Sequence, residues 1–257
     1  MAIPLVVYLS IASLVTAFTH VDYGNFVYET KGRHAIKLVL NTTHDGYGLF
    51  YIECGRRRFQ GDWFPLTVVE HDPHLVVLHE FPNEKATLHK YWLQCARATC
   101  PKLEFQELDF LEFMVDNVGD ARTDVGGKEV ILERQWLPLI PGRYWSDESV
   151  SEFKQQFDVH PDGYVYVKLG CEGGDTGPHR RYRLERKKGS DRFELTTIPG
   201  RYTVEDLLES FKEVCPALLP PVFNRFRVQL ENIGFANYDA VYALRNYGSD
   251  RLYRRSL

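Results

Sequence analysis

The chain has 257 residues, 44% hydrophobic and 26% charged, with a formal net charge of -4. These values are ordinary for a globular protein and argue against nucleic acid as a partner. Its 15 Tyr and 16 Phe favour sheets over long helices.

Residues 4–15 are apolar and uncharged, too short to span a bilayer comfortably, and run into Val15-Thr16-Ala17. Residues 1–17 therefore read as a secretory signal peptide, with a soluble, secreted mature chain starting near Phe18. The missing basic residue near Met1 leaves an uncleaved signal anchor as the alternative. No later stretch has the length and apolarity of another span.

Residues 35–40 read as a strand, Asp45-Gly46 as a hairpin turn and 48–53 as the returning strand. In an exported chain the sequon at Asn41, Asn41-Thr42-Thr43, is a glycan acceptor beside that turn. Two further strands are expected at 65–70 and 75–81. A helix then opens at Pro82 and carries Cys95 and Cys100, and a last strand follows at 108–115.

The pattern then returns. Asp162, Gly163, Tyr164 and Cys171 each lie 117 positions after Asp45, Gly46, Tyr47 and Cys54. Cys215-Pro216 lies 115 after Cys100-Pro101, as do Asn232, Gly234, Ala236 and Asp239 after Asn117, Gly119, Ala121 and Asp124. Ordered identities across a hundred residues argue for tandem duplication. The second copy repeats the hairpin with a strand at 165–169, followed by strands at 182–187 and 193–198. Thr203 is a fitting N-cap with Asp206 at the capping-box position, and Leu207, Leu208, Phe211 and Val214 share one helical face. A closing strand is expected at 226–230.

The expected fold class is thus α+β: two tandem duplicated domains, each an antiparallel β-sheet with one main helix and one disulfide. Residues 18–125 form the first, 126–140 a junction and 141–257 the second. The pairs are Cys54 with Cys100 and Cys171 with Cys215, since duplicated domains duplicate their staple. Cys95 is left to pack, to compete with Cys100 or to link two chains. Ile140-Pro141-Gly142-Arg143-Tyr144 recurs letter for letter at 198–202, which implies a second short helix near 147–154.

The candidates for chemistry all have plainer readings. Asp175-Thr176-Gly177 carries the letters of an aspartic-protease motif without its flanking apolar strands, and the glycine run at 170–177 lacks the Gly-Lys-Ser/Thr of a phosphate loop. His71, His74 and His79, near Glu70 and Asp72, match no compact metal spacing, and no nucleophile is framed by a base. We assign no catalytic, cofactor or metal residue. Two basic clusters remain, Arg56-Arg57-Arg58 and the run Arg180, Arg181, Arg183, Arg186, Lys187 and Lys188. The second reads as a charge-guarded edge strand or as a patch for an anionic partner. Trp136 in the junction and Tyr144 and Trp145 just beyond it read as domain packing or as an aromatic shelf for sugar. The sum points to an extracellular, non-enzymatic binding protein for an anionic glycan or a protein partner. The alternatives are a secreted hydrolase or metal-dependent enzyme with an inter-domain site, and a structural coat component.

Overall fold

The computed structural model describes residues 23–32, 35–72, 76–80, 86–146, 151–218, 230–244 and 249–255. The expected leader, His74 and most of the strand expected at 226–230 lie outside the described residues, as do the side chains of Glu70, His71, Asp72 and His79.

Among the described residues the chain forms two mostly antiparallel sheets and two α-helices. In the first half, β1 (Gly24–Glu29), β2 (Ile36–Thr42), β3 (Tyr47–Cys54) and β4 (Arg57–Gln60) run as successive hairpins. The short β5 (Phe64–Pro65) leads into β6 (Thr67–Asp72) and β7 (Val76–Glu80); after α1 (Ala86–Thr99) come β8 (Glu112–Val115), β9 (Ala121–Val125) and β10 (Lys128–Arg134). The strand order is β4-β3-β2-β1-β10-β9-β8-β7-β6. β5 pairs back onto β3, and the Leu66 N–H donates to Gly46 O at 2.7 Å, which curls the sheet towards a barrel. Strict alternation explains the inner face: Leu38 and Leu40 on β2 lie opposite Ile52 and Phe50 on β3, and all four are buried. α1 closes this face with His89, Trp92, Leu93 and Ala96, at the i, i+3, i+4 and i+7 positions of one helical face. Trp92 stacks on Phe50 at 5.0 Å and meets Phe64 edge-on at 4.5 Å.

The second half comprises β11 (Gly142–Ser146), β12 (Lys154–Val159), β13 (Tyr164–Cys171), β14 (Gly174–Asp175), β15 (Arg180–Arg186) and β16 (Phe193–Thr196). α2 (Val204–Val214) follows, then β17 (Gly234–Phe235), β18 (Ala240–Leu244) and β19 (Ser249–Arg254). The order β16-β15-β13-β12-β11-β19-β18-β17 is almost closed into a barrel, because Phe193 and Ile233 exchange backbone hydrogen bonds of 2.7 and 2.8 Å. α2 starts at a complete capping box, with the Asp206 N–H bonded to Thr203 Oγ1 and the Thr203 N–H to Asp206 Oδ2.

Both expected disulfides are present, Cys54–Cys100 and Cys171–Cys215, each tying its helix to its central hairpin, and Cys95 is free. The halves also share a pairing register at the separation of 117: Leu38 faces Ile52 as Gln155 faces Leu169, and Cys54 faces Arg57 as Cys171 faces Gly174. Each half carries an arginine clamp at its last strand. Arg134 lies opposite Phe26 and donates to Gly119 O at 2.7 Å and Tyr23 O at 3.0 Å. Arg254 lies opposite Tyr144 and donates to Pro141 O at 2.9 Å and Tyr238 O at 3.4 Å. Glycine stands beside each guanidinium, for a Cβ on Gly24 would come within 2.5 Å of Arg134 and one on Gly142 within 3.0 Å of Arg254.

Several expectations are corrected. Strands dominate, so α+β holds only roughly, with helices of 14 and 11 residues. Of the short helix expected near 147–154, residues 147–150 lie outside the described residues, and the remainder is not helical: β12 starts at Lys154, Phe153 turns inward and Ser146 Oγ bonds both Phe153 O and the Gln155 N–H. Gly126-Gly127 does not open a junction. It is the turn between β9 and β10, and β10 completes the first sheet by pairing with β1. The strand expected from 108 starts at Glu112, because the buried Asp109 carboxylate holds the Gln106, Gly126 and Gly127 amides and keeps the preceding loop off the ladder. The identities at separation 115 beyond the cysteines are not structural equivalents. The Asp116 N–H to Asp120 O bond recurs from Ala236 to Ala240, at a separation of 120.

Candidate functional site

The basic run on β15 is not one surface. β15 pairs with both β13 and β16, so it is no edge strand. Tyr182 and Leu184 point into the core, and those two inward residues suffice to hold an interior strand whose other positions are charged. Arg181 and Arg183 project outward, opposite Tyr166 and Tyr164. Beyond them Glu185 faces Glu194, and Arg183 Nε lies 3.8 Å from Glu185. This acidic pair divides the run.

Past the division, Arg186, Lys187 and Lys188 lead into a tight turn closed by the Lys187 N–H to Arg192 O bond at 2.9 Å and the Ser190 N–H to Lys187 O bond at 3.1 Å. The turn overhangs the end of β10 from the other half. Between them lies an open crevice of about 700 Å³, lined by Trp136, Arg186, Lys187, Lys188, Arg192 and Asp120 among others.

Trp136 is seated by close approach. A Cβ on Gly234 would come within 2.4 Å of the indole, and one on Gly119 within 2.8 Å. Tyr242 meets the ring edge-on at 5.4 Å, and the Arg192 guanidinium lies 4.2 Å from its centroid. Arg192 also donates to Val118 O at 2.8 Å, bridging the halves. Burial pushes the Arg192 guanidinium down and the Asp120 carboxyl up from their ordinary ranges. Arg186 pairs with Asp191, and Lys187 Nζ reaches Asn232 Oδ1 at 3.2 Å. Lys188 is exposed. Among the described residues the lining contains cations, carboxylates and Ser190, so it presents charge.

On the other side of the division, Arg181 stacks on Tyr164 at 3.8 Å and Arg180 on Tyr202 at 4.6 Å. Arg180 is further spent on Asp206 O and Ser210 Oγ at 2.9 and 2.8 Å. Two shallow hollows of about 550 and 540 Å³ adjoin there and share Tyr166 and His179; Trp145 lines the second. Burial lowers the His179 pKa from 6.5.

Compared with family models, curated proteins and solved structures, the chain matches none.

The junction aromatics have three different fates. Trp136 packs between the halves at the crevice, Trp145 is 39% exposed on the outer face, and Tyr144 is fully buried in the second core with its hydroxyl on Ile140 O. Tyr144 is thereby removed from the candidate binding surface. Arg56 sits in the turn after β3, and Arg57 and Arg58 open β4, exposed, with Arg57 donating to Ala98 O at 3.4 Å. The positions that answer Arg56, Arg57 and Arg58 in the second half are Gly173, Gly174 and Asp175, so the two basic clusters are unrelated by the repeat. Asn41 is half-buried on β2, opposite Asn25 and Leu49. Asp175 closes the β13–β14 turn, its carboxyl lowered chiefly by Lys168 at 2.7 Å, in a structural role. Sequence reading passed over Arg192, Asp120 and the two glycines under Trp136. The signal for Arg192 was the turn Gly189-Ser190-Asp191 that folds it back onto Lys187.

Proposed function

We propose that the chain is a secreted, non-enzymatic binding protein built from two copies of one disulfide-stapled α+β module, and that it takes an anionic glycan in the crevice between them. One observation carries this reading. The fold brings Trp136, from the segment joining the halves, to the same crevice as Arg186, Lys187 and Lys188 from β15 and its turn. Sulfate and carboxylate groups on a sugar chain demand cations on an open, elongated surface, and the indole edge adds an apolar contact to a sugar ring. Of the neighbouring acids, Asp191 holds Arg186 and Asp120 Oδ1 accepts the Arg134 N–H, while Glu133 lies exposed on the β10 wall. Lys187 and Lys188 are left as the principal anion-facing groups. The repeated register and the paired arginine clamps support duplication of a whole module.

The test is calorimetric titration with a sulfated heparin-type hexasaccharide and its desulfated analogue. The wild-type protein binds the sulfated chain, and more weakly as salt rises and shortens the Debye length to about 8 Å at physiological strength. Lys187→Glu with Lys188→Glu weakens it about tenfold or more. Equal affinity for both sugars, or indifference to the double substitution, would refute the crevice as the site.

A further inference from the structure

The basic cluster Arg56–Arg58 has no role in the crevice, and the hollow beside it differs in chemistry from the others. Its floor is apolar: Ala35, Ile36, Leu103, Pro101 and the Cys54–Cys100 bridge. Its rim carries Arg56, Arg57 and Lys102, all exposed, and none of the described lining residues is acidic. The volume is about 480 Å³, within the range of roughly 300–1,000 Å³ typical of small-ligand pockets. Arg57 spends one nitrogen on Ala98 O, while Arg56 and Lys102 make no hydrogen bond or ion pair among the described residues.

The second half shows what this place looks like when it is filled. There, 117 positions on, Phe153 stands for Ile36; it is 1% exposed and packs on Phe211 at 5.8 Å. Gly173 and Gly174 stand for Arg56 and Arg57, close against Val214 at the end of α2, and Ala217 stands for Lys102. The same corner of the fold thus exists in two forms. One is plugged by an aromatic ring and has lost its cations; the other is open, apolar within and ringed by three positive charges.

We propose that the hollow beside Cys54–Cys100 binds a single-chain carboxylate, a medium-chain fatty acid. Its chain lies on Ile36, Leu103 and the disulfide, and its carboxylate meets Arg56, Arg57 and Lys102. An apolar floor selects the chain by removing it from water, and the uncompensated rim selects the anion. This site is separate from the crevice and independent of the glycan reading.

The experiment is calorimetry on the full secreted chain with decanoate, decanol and acetate. Decanoate binds with one site per chain. Decanol binds about tenfold more weakly for want of the charge, and acetate gives no heat for want of the chain. Two variants separate the parts: Arg56→Glu with Lys102→Glu weakens decanoate about tenfold or more by charge alone. Ile36→Phe, which imports the second half's ring, abolishes binding with every cation retained. Thermal melts check that both variants fold, and retained binding of the sulfated hexasaccharide shows that the crevice is untouched. Absence of decanoate binding at millimolar concentration, or equal binding by both variants, overturns the proposal. So does binding to anionic vesicles with no binding of the monomer, which would make the patch a membrane contact.

Discussion

Arg134 and Arg254 hold equivalent positions in the two halves but differ in burial, and that difference makes a sharp prediction. Arg134 is 2% exposed, bonds two carbonyls and lies 4.4 Å from the Phe26 ring centroid, whereas Arg254 is exposed. Replacing either with lysine keeps the charge but loses the planar fork, which reaches the two carbonyls from separate nitrogens, whereas lysine's donors all sit on one. At Arg134 one charge-assisted bond is lost in a dry setting, roughly 1.5–3 kcal/mol, and the desolvated stack on Phe26 adds about 1–2 kcal/mol. Arg134→Lys should therefore cost about 3 kcal/mol. Arg254→Lys should cost less than about 1 kcal/mol, because water replaces the missing donor. Urea unfolding followed by tryptophan fluorescence reads both. With a slope of about 2 kcal/mol/M, the first substitution lowers the midpoint of its transition by roughly 1.5 M and the second by under about 0.5 M. Equal shifts in the two variants would show that burial is not what gives Arg134 its weight.

Other outcomes follow from the same structure. Gly234→Ala drives a Cβ into the Trp136 indole at 2.4 Å, so it should shift the tryptophan emission and weaken sulfated-glycan binding while both disulfides form normally. Removing Cys54–Cys100 or Cys171–Cys215 by double alanine substitution should cost about 4 kcal/mol in each case, since the chain-entropy model depends only weakly on loop length and the separations are 46 and 44; calorimetric melts of the two variants would show it. Thr203→Ala removes the N-cap of α2 and should lower stability by about 1 kcal/mol in urea. An NMR titration of His179 should place its midpoint below 6.5. Because the unfolded chain takes up that proton first, the contribution is full above this pH and declines as pH falls towards the folded pKa. His179→Gln should flatten that part of the stability profile.

Much of the framework was legible because it is local. Asp45-Gly46 and Asp162-Gly163 mark hairpin turns, Thr203 and Asp206 mark the start of α2, and the duplicated cysteines mark the staples. The failures came where identical letters met different surroundings. Ile-Pro-Gly-Arg-Tyr at 140–144 runs into β11 and buries its tyrosine completely, whereas at 198–202 it forms a turn with Gly200 at φ +75 and leaves Tyr202 60% exposed. The residues that follow decide: Trp145-Ser146 extend a strand between β12 and β19, while Thr203 to Asp206 supply a capping box. The crevice was half legible. Its tryptophan and lysines stand out in the sequence, but their meeting depends on how one half sits against the other, which no local signal encodes. The split of the basic run by Glu185 and Glu194 was hidden for the same reason, since it is a cross-strand pairing.

Tyr23 gives the two halves a closing order. Its carbonyl accepts from Arg134 in the first half and from Asn237 in the second, at 3.0 Å each, and its hydroxyl donates to Asp239 at 2.7 Å. A ribosome delivers Tyr23 more than two hundred residues before Asn237. The first sheet can complete itself once β10 has emerged, yet the residue that latches the halves together must wait for Asn237 and Asp239 to appear. Until residues 186–192 have emerged the crevice has only the wall that β10 supplies, so the proposed ligand site is an attribute of the two halves together and of neither alone.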